Sequence, residues 1–358
     1  MAEQNNSIKV APGKAVTDHP DKLNSSHPAV THPASKPHPI EVDDDPNPQD
    51  DFQFTETDGA SSTQSVASSI INYKYENGRR YHAYREGEYV MPNDEQEQAR
   101  LDLHHHLWRL MTGGTLFRAP VDPSTMRVLD LGTGTGIWAM DMADQYPNAT
   151  IRGIDLSPIQ PQWVPPNCRF EVDCFESSWH YSKPFDFIHA RNLACSVRDF
   201  PSLYKSIMEH LKPGGWVEVA DHAAEPFADD DTLKNAPHTV RWAELLDESS
   251  LKHGKRFNVA AHLEQWMIDA GFKNVKQEIF KVPVNPWPKD PKMKEIGRYN
   301  MIHLLEAIDP WSLALFTRQL GWSNEEFQAF FAGVRREIQD RSIHMYAKYY
   351  FVYGQKPE

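Results

Sequence analysis

Three glycines at alternate positions follow a short apolar segment and precede a predicted helix. They are Gly132, Gly134 and Gly136, within residues 128–139. Glycines at this spacing let the backbone turn sharply and approach a ligand without Cβ atoms in the way. The dinucleotide-binding fingerprint has its third glycine one position later, where this chain has Ile137. The spacing therefore indicates a nucleoside-binding loop and argues against the nicotinamide and flavin types.

Three acidic residues lie at the carboxyl ends of three successive predicted strands. They are Asp130, Asp155 and Asp173. Ligands of open α/β sheets bind at this edge, so we expect the three carboxylates to line one pocket. Asp130 would pair with an ammonium group, Asp155 would accept hydrogen bonds from a ribose diol, and Asp173 would accept one from an adenine amino group. A single such acid would more often be a loop cap. Three acids at the ends of three successive strands predict a binding site.

The glycine spacing and the acid before it resemble motif I of class I S-adenosylmethionine-dependent methyltransferases. This resemblance implies S-adenosylmethionine as the cofactor. The helix N-terminus near the third glycine would favour the cofactor's carboxylate. The implied cofactor-binding residues are Asp130, Gly132, Gly134, Gly136, Asp155 and Asp173.

Methyl transfer from a sulfonium is an in-line displacement on a carbon that is already activated, so a protein mainly aligns the reactants and excludes water. A base is needed only when the acceptor carries a proton of high pKa. His222, which follows Asp221 after the fifth predicted strand, is the first candidate for that base, and His189 inside the fourth strand is the second. For each, a purely structural role is the alternative. The Asn/Asp-Pro-Pro-aromatic motif of amino-methylating enzymes is absent after the fourth strand.

Composition excludes several classes of protein. The chain has 358 residues, 40% hydrophobic residues and a net charge of −13, a balance opposite to that of a duplex-binding surface, so we expect no nucleic-acid partner. No apolar run is long enough for a membrane span, and the N-terminus lacks the features of a secretory signal. Three cysteines without metal-ligand spacing predict reduced thiols and no metal site. The expected location is the cytoplasm, with the nucleus as the alternative.

Strand and helix patterns alternate from residue 127 onward, which predicts an α/β fold with a parallel sheet and right-handed crossovers. The predicted strands cover residues 127–131, 150–154, 168–172, 185–190, 216–220, 273–282 and 345–353. The predicted helices cover about 94–110, 136–146, 199–210, 239–252 and 259–270, the last with Asn258 as its cap. The histidines at 104–106 would point three ways around the first helix and so could not share one metal ion.

Composition also divides the chain into regions. Residues 1–70 are rich in Pro, Ser, Asp and Thr and are predicted to be a disordered tail. Residues 71–126 form a predicted helical and aromatic lid segment, and residues 127–358 form the main domain. A helical insertion is expected at about 285–341. Within it, Ser323 and Glu326 match a capping box that precedes an apolar stripe.

Several longer segments resemble fungal methyltransferases of the velvet-complex type, over roughly residues 73–356. The segments are 73–82, 91–102, 129–139, 153–161, 164–170, 211–218 and Asn285-Pro286-Trp287-Pro288. The resemblance implies a class I methyltransferase fold, with a Rossmann-like, mostly parallel sheet whose last strand is antiparallel. Members of this family include regulators of fungal secondary metabolism and development, and enzymes of natural-product clusters.

These observations leave two main hypotheses. In the first, the protein is an S-adenosylmethionine-dependent methyltransferase that acts on a small molecule of fungal secondary metabolism. In the second, it is a regulatory methyltransferase subunit that acts through protein partners, with residues 1–70 as the partner-binding segment. A third hypothesis is a nucleotide-dependent oxidoreductase. Ile137 disfavours it, because the dinucleotide-binding fingerprint has a glycine at that position.

Overall fold

The computed structural model describes residues 38–42, 73–85 and 87–358. Most of the predicted tail, residues 1–70, therefore lies outside the described residues. The short described part of it is tied to the predicted insertion: Val42 forms an antiparallel bridge with Pro288, and the backbone amide of Lys289 donates to the carbonyl of Glu41. Among the described residues, no helix is both long and apolar enough to cross a membrane.

A seven-stranded sheet forms the centre of the fold, in the order β5-β4-β3-β6-β7-β9-β8. The described strands are β1 (Lys74–Glu76), β2 (Arg79–Tyr81), β3 (Arg127–Leu131), β4 (Thr150–Asp155), β5 (Cys168–Val172), β6 (Phe185–Arg191), β7 (Leu211–His222), β8 (Lys273–Pro283) and β9 (Tyr346–Gln355). Strands β3 to β7 pair in parallel, whereas β9 is antiparallel to both of its neighbours. The predicted mostly parallel sheet with an antiparallel last strand is confirmed.

Strand β7 begins at Leu211, five residues before the predicted start. Residues 213–215 form a bulge inside the strand, where the pairing with β6 shifts register between Phe185 and Phe187. Gly214 has a φ of 73°, a conformation that glycine adopts without strain. Its amide donates to the carbonyl of Lys356 near the chain's C-terminus. The contact with Lys356, far along the chain, therefore keeps residues 213–215 in the strand, whereas the local sequence indicates that the strand starts after them.

Seven α-helices are described. They are α1 (Glu95–Thr112), α2 (Ile137–Gln145), α3 (Phe200–His210), α4 (Pro237–His253), α5 (Leu263–Asp269), α6 (Pro291–Leu315) and α7 (Asn324–Gln339). Helix α5 is shorter than predicted, because residues Ala260–His262 form a 3-10 turn before it. The prediction of Asn258 as the helix cap is wrong: its side-chain amide donates to the Glu225 carboxylate instead.

The predicted insertion consists of the two long helices α6 and α7. The capping box is present, since Ser323 accepts from the amide of Glu326 and Glu326 accepts from the amide of Ser323. The apolar stripe of α7 faces the core, with Phe327, Phe331 and Val334 fully buried. The apolar stripe is therefore part of the core.

One carboxylate of the insertion caps a helix of the main domain. Helix α4 starts without a side-chain cap of its own, because Ala236 occupies the N-cap position. The Glu337 carboxylate accepts instead from the backbone amides of His238 (3.0 Å) and Thr239 (2.7 Å), and from the Thr239 hydroxyl (2.8 Å). A buried helix end needs such partners for its free amides, so Glu337 couples the insertion to α4.

Replacing Glu337 by alanine is expected to lower the free energy of unfolding by about 2–3 kcal/mol, because it leaves buried amides without an acceptor. Ser323→Ala removes a cap at an exposed helix start and should cost about 1 kcal/mol. Exposed Glu209 provides a matched control, and Glu209→Ala should stay within about 0.5 kcal/mol of wild type. Urea unfolding followed by circular dichroism measures all three. Equal values for Glu337→Ala and Glu209→Ala would contradict the capping role.

Candidate active site

A deep cavity opens at the carboxyl ends of β3, β4, β6 and β7. Six of the predicted site residues line it, and they are Asp130, Gly132, Gly134, Asp155, His189 and His222. Gly136 and Asp173 are not part of the lining. The remaining walls come from the segment before α1, from α1 and the start of α2, from the loops after β4, β5, β6 and α4, and from Trp311 of α6. The parallel strand order thus brings together residues that lie far apart in the chain.

The glycine loop is left-handed at all three glycines. The φ angles are 65° at Gly132, 58° at Gly134 and 81° at Gly136. Side-chain-bearing residues rarely adopt these angles, which accounts for glycine at each position. Gly136 also lies against the Phe170 ring, since a Cβ there would come within 2.4 Å of it. The third glycine therefore packs α2 against β5 and does not face the cavity.

Asp130 is buried at the end of β3 and is held by two hydrogen bonds. Its Oδ1 accepts from His189 Nδ1 at 2.7 Å, and its Oδ2 accepts from Thr133 Oγ1 at 2.6 Å. The His189 ring stacks on Trp138 with centroids 3.6 Å apart. Burial lowers the pKa of His189 although Asp130 opposes the shift. These contacts favour His189 as a residue that positions Asp130 over its predicted role as a base.

The Asp155 carboxylate can accept more hydrogen bonds than the protein donates to it. It accepts from the amides of Gly134 (2.8 Å) and Ser157 (2.9 Å), and burial raises its pKa to about 6. A carboxylate offers about four lone-pair directions, so roughly two stay available for a ligand. The arrangement suits a pair of neighbouring hydroxyl donors.

The loop after β5 presents apolar groups to the cavity. Asp173 uses one carboxylate oxygen on the amide of Cys174 (2.7 Å), and its own amide donates to the carbonyl of Asp155. The cavity wall at this point is formed by Phe175, together with Leu156 from the loop after β4. This end of the cavity therefore suits a flat, largely apolar ring. Asp173 makes this local contact and is not among the lining residues, so its predicted contact with adenine stays a prediction.

His222 lies at the opposite end of the cavity, in an aromatic cage. Its ring is near-parallel to those of Trp311 (5.1 Å) and Tyr349 (5.3 Å), and Phe257 meets it edge-on. The side chain is buried, and within the part of the chain that the structure describes neither ring nitrogen has a hydrogen-bond partner. Buried polar atoms usually have a hydrogen-bond partner, so the unpaired ring nitrogens of His222 call for an explanation. Nδ1 lies 3.5 Å from Asp221 Oδ1, beyond hydrogen-bond range. The role of His222 as a base stays a prediction.

Two further histidines lie near this end of the cavity, and one of them, His104, lines it. His104 of α1 stacks on His303 of α6 at 3.8 Å, and burial together with the neighbouring cations lowers the pKa of both rings well below the ordinary value. Both are therefore neutral at physiological pH. His105 instead contacts Asp141, and His106 is exposed. The triplet spreads in three directions, as the helical spacing predicts.

Charged residues close the mouth of the cavity. Lys255 is almost fully buried, and its Nζ lies 2.7 Å from Glu176 and 3.0 Å from Glu88, which belongs to the segment before α1. In the same segment, the Asn93 amide donates to Ser157 Oγ at 3.2 Å. These contacts hold residues 88–93 across the cavity. The lid role of residues 71–126 remains a prediction that this geometry favours.

Sequence reasoning missed several lining residues. Arg100, His104, Arg191, Lys255 and Trp311 all line the cavity, but none was predicted as a site residue, although Arg100 lies in the family-like segment 91–102. Arg191 had the clearest signal, because it directly ends the fourth strand of the parallel sheet. The others enter through tertiary packing of α1, α6 and the loop after α4.

The chain is similar to known methyltransferases. A family profile described as a methyltransferase domain matches residues 103–277. The methyltransferase pytC of Aspergillus terreus is 42% identical over 325 residues, covering 90% of this chain and 98% of the relative. The secondary metabolism regulator LAE1 of Cochliobolus heterostrophus is 39% identical over 300 residues, covering 82% of this chain and 97% of the relative.

A third relative carries a more specific name. The protein-methionine methyltransferase laeA of Emericella nidulans is 37% identical over 304 residues, covering 83% of this chain and 80% of the relative. Identity at this level over most of both chains shows common family membership. The chain therefore belongs to the fungal LaeA-like family of class I methyltransferases, which use S-adenosylmethionine as the methyl donor.

Proposed function

We propose that this methyltransferase acts on a small-molecule acceptor of fungal secondary metabolism. The observation that carries the proposal is the enclosed, aromatic end of the cavity around His222. Its walls of Trp311 and Phe257 come from α6 and from the loop after α4, so the acceptor end lies deep beneath the helical part of the fold. Ligand sites for small molecules are concave and mostly apolar, with few convergent polar groups.

The donor set of the cavity fits the cofactor of this family. Asp155 retains acceptor capacity for the ribose hydroxyls, and Asp130 provides a buried negative charge for the ammonium group. The left-handed backbone at Gly132 and Gly134 leaves space that side chains would restrict. Phe175 and Leu156 offer apolar faces to the adenine ring. We assign Gly136 and Asp173 supporting roles, in the packing of α2 and in the loop after β5.

The cofactor supplies a methyl group on a positively charged sulfur, which is already activated for displacement. The protein therefore has to align the acceptor and exclude water. The ion pairs of Lys255 and the segment before α1 close the mouth. A free ring nitrogen of His222 accepts the proton that an oxygen or nitrogen acceptor releases. We assign His189 to orienting Asp130, since its Nδ1 is already engaged there.

Replacing Asp155 by asparagine should weaken S-adenosylmethionine binding by about tenfold or more, because acceptors for the ribose hydroxyls are lost. In the wild type, affinity should fall as pH drops through about 6, the raised pKa of Asp155, because protonation removes acceptor capacity. The asparagine variant should lose this pH dependence. Calorimetric titration at pH 5 to 8 measures both effects, with Asp144→Asn as an exposed control. Wild-type-like binding by Asp155→Asn at every pH would refute the assignment.

Transfer of a radioactive methyl group tests the acceptor class directly. Labelled cofactor and enzyme are incubated with a host extract divided into a low-molecular-mass fraction and a protein fraction. We expect label in the low-molecular-mass fraction, with transfer reduced about a hundredfold in His222→Phe and cofactor affinity unchanged. Label confined to protein, and insensitive to His222→Phe, would instead indicate a thioether acceptor. A thioether releases no proton on methylation and needs no base.

A regulatory role is the second candidate, and the names of two relatives favour it. One is called a secondary metabolism regulator and another a protein-methionine methyltransferase. In this proposal residues 1–70 bind a protein partner, and the nucleus is the expected location. The small-molecule proposal places the enzyme in the cytoplasm.

Removing residues 1–37 separates the two roles, since it leaves the contact of Glu41 and Val42 with residues 288–289 in place. Under the regulatory proposal, affinity purification should lose its protein partners while cofactor affinity stays the same. Partners recovered in equal amounts with and without residues 1–37 would argue against a partner-binding segment there.

A further inference from the structure

Arg191 lies in the cavity wall without a carboxylate partner. It ends β6 and lines the cavity, and its guanidinium lies over the Trp108 ring at 5.5 Å. Its hydrogen bond is to a histidine: Nη2 donates to His105 Nδ1 at 2.9 Å. Among the described residues, no acidic side chain forms an ion pair with it. Arg191 is half-buried, and a cation withdrawn from water normally has an anionic partner, so the cavity beside it is an electrostatic fit for an anion.

The sheet register fixes where this cation lies. Ala190 pairs with Leu131, so Arg191 follows directly beside the start of the glycine loop at Gly132. Burial lowers the pKa of Arg191 to about 10, and the guanidinium therefore stays charged at neutral pH. The nearby Asp130 is already held by His189 and Thr133 and does not neutralise it by direct contact.

His105 presents an acceptor to Arg191. Its Nε2 lies 3.0 Å from Asp141 Oδ2, and Asp141 is also paired with Arg109. A carboxylate on Nε2 favours the proton on that nitrogen, which leaves Nδ1 free to accept from Arg191. Burial lowers the pKa of His105 to about 4, so the ring is neutral. The chain from Arg191 through His105 to Asp141 therefore fixes the direction of the guanidinium.

We propose that Arg191 binds the α-carboxylate of the cofactor's methionine moiety and that His105 is the positioning residue that orients it. The inference rests on the proposed cofactor site, in which Asp130 faces the ammonium group. Arginine matches a carboxylate by donating two parallel hydrogen bonds, which a lysine cannot reproduce. At the amino-acid end of the cofactor, Arg191 then faces the carboxylate and Asp130 faces the ammonium group.

The test compares two ligands that differ only in this carboxylate, S-adenosylmethionine and decarboxylated S-adenosylmethionine. Dissociation constants are measured by calorimetry for the wild type, Arg191→Gln and Arg191→Lys. We expect the constant for S-adenosylmethionine to rise about tenfold or more in Arg191→Gln, and less in Arg191→Lys. The constant for the decarboxylated ligand should change by less than about threefold. Arg169→Gln on β5 is the exposed control and should leave both constants unchanged.

His105 variants test the positioning role. Asparagine can place an amide oxygen near the position of Nδ1, whereas glutamine places its amide nearer that of Nε2. His105→Asn should therefore retain the preference for the carboxylate-bearing ligand, and His105→Gln should lose it. An equal rise for both ligands in the Arg191 variants, or no rise for either, would overturn the inference. A wild-type protein that binds neither ligand would instead overturn the proposed cofactor site.

Discussion

Burial of the carboxylate at the end of β3 is the constraint on which the site depends. A buried charge is costly unless hydrogen bonds satisfy it. Asp130 is satisfied from two sides, by His189 on the adjacent strand and by Thr133 within the glycine loop. The same bonds therefore fix the start of the loop relative to the sheet. His189 is in turn held by stacking on Trp138, the second residue of α2. Contacts that start from the Asp130 carboxylate thus connect β3, the glycine loop and α2.

The two ends of the cavity differ in how their polar groups are satisfied. At the glycine loop, the acids are hydrogen-bonded and keep part of their acceptor capacity for a ligand. At the far end, neither ring nitrogen of His222 has a hydrogen-bond partner among the described residues, although Nδ1 lies 3.5 Å from Asp221 Oδ1, and the rings of His104 and His303 are neutral. The first end suits a polar, charged nucleoside cofactor. The second, in the proposed function, receives the acceptor.

Closure of the acceptor end depends on the helices of the insertion. Trp311 and His303 both come from α6, and Glu337 of α7 caps α4. The insertion is therefore part of the main domain's hydrogen bonding as well as a wall of the cavity.

The sequence by itself determined the sheet, the glycine loop and the acids at its edge. Those features are local, because positive-φ glycines and strand ends leave their mark on neighbouring residues. It misjudged the start of β7 and the cap of α5, where distant segments supply the pairing or compete for the side chain. It also placed Gly136 and Asp173 in the pocket, whereas the structure uses them in local packing and capping. Only the tertiary structure revealed Arg191 against His105, which are 86 residues apart, and the cap of Thr239 by Glu337, which are 98 apart. Such pairs form only when segments far apart in the chain pack together. Local sequence patterns carry no information about that packing.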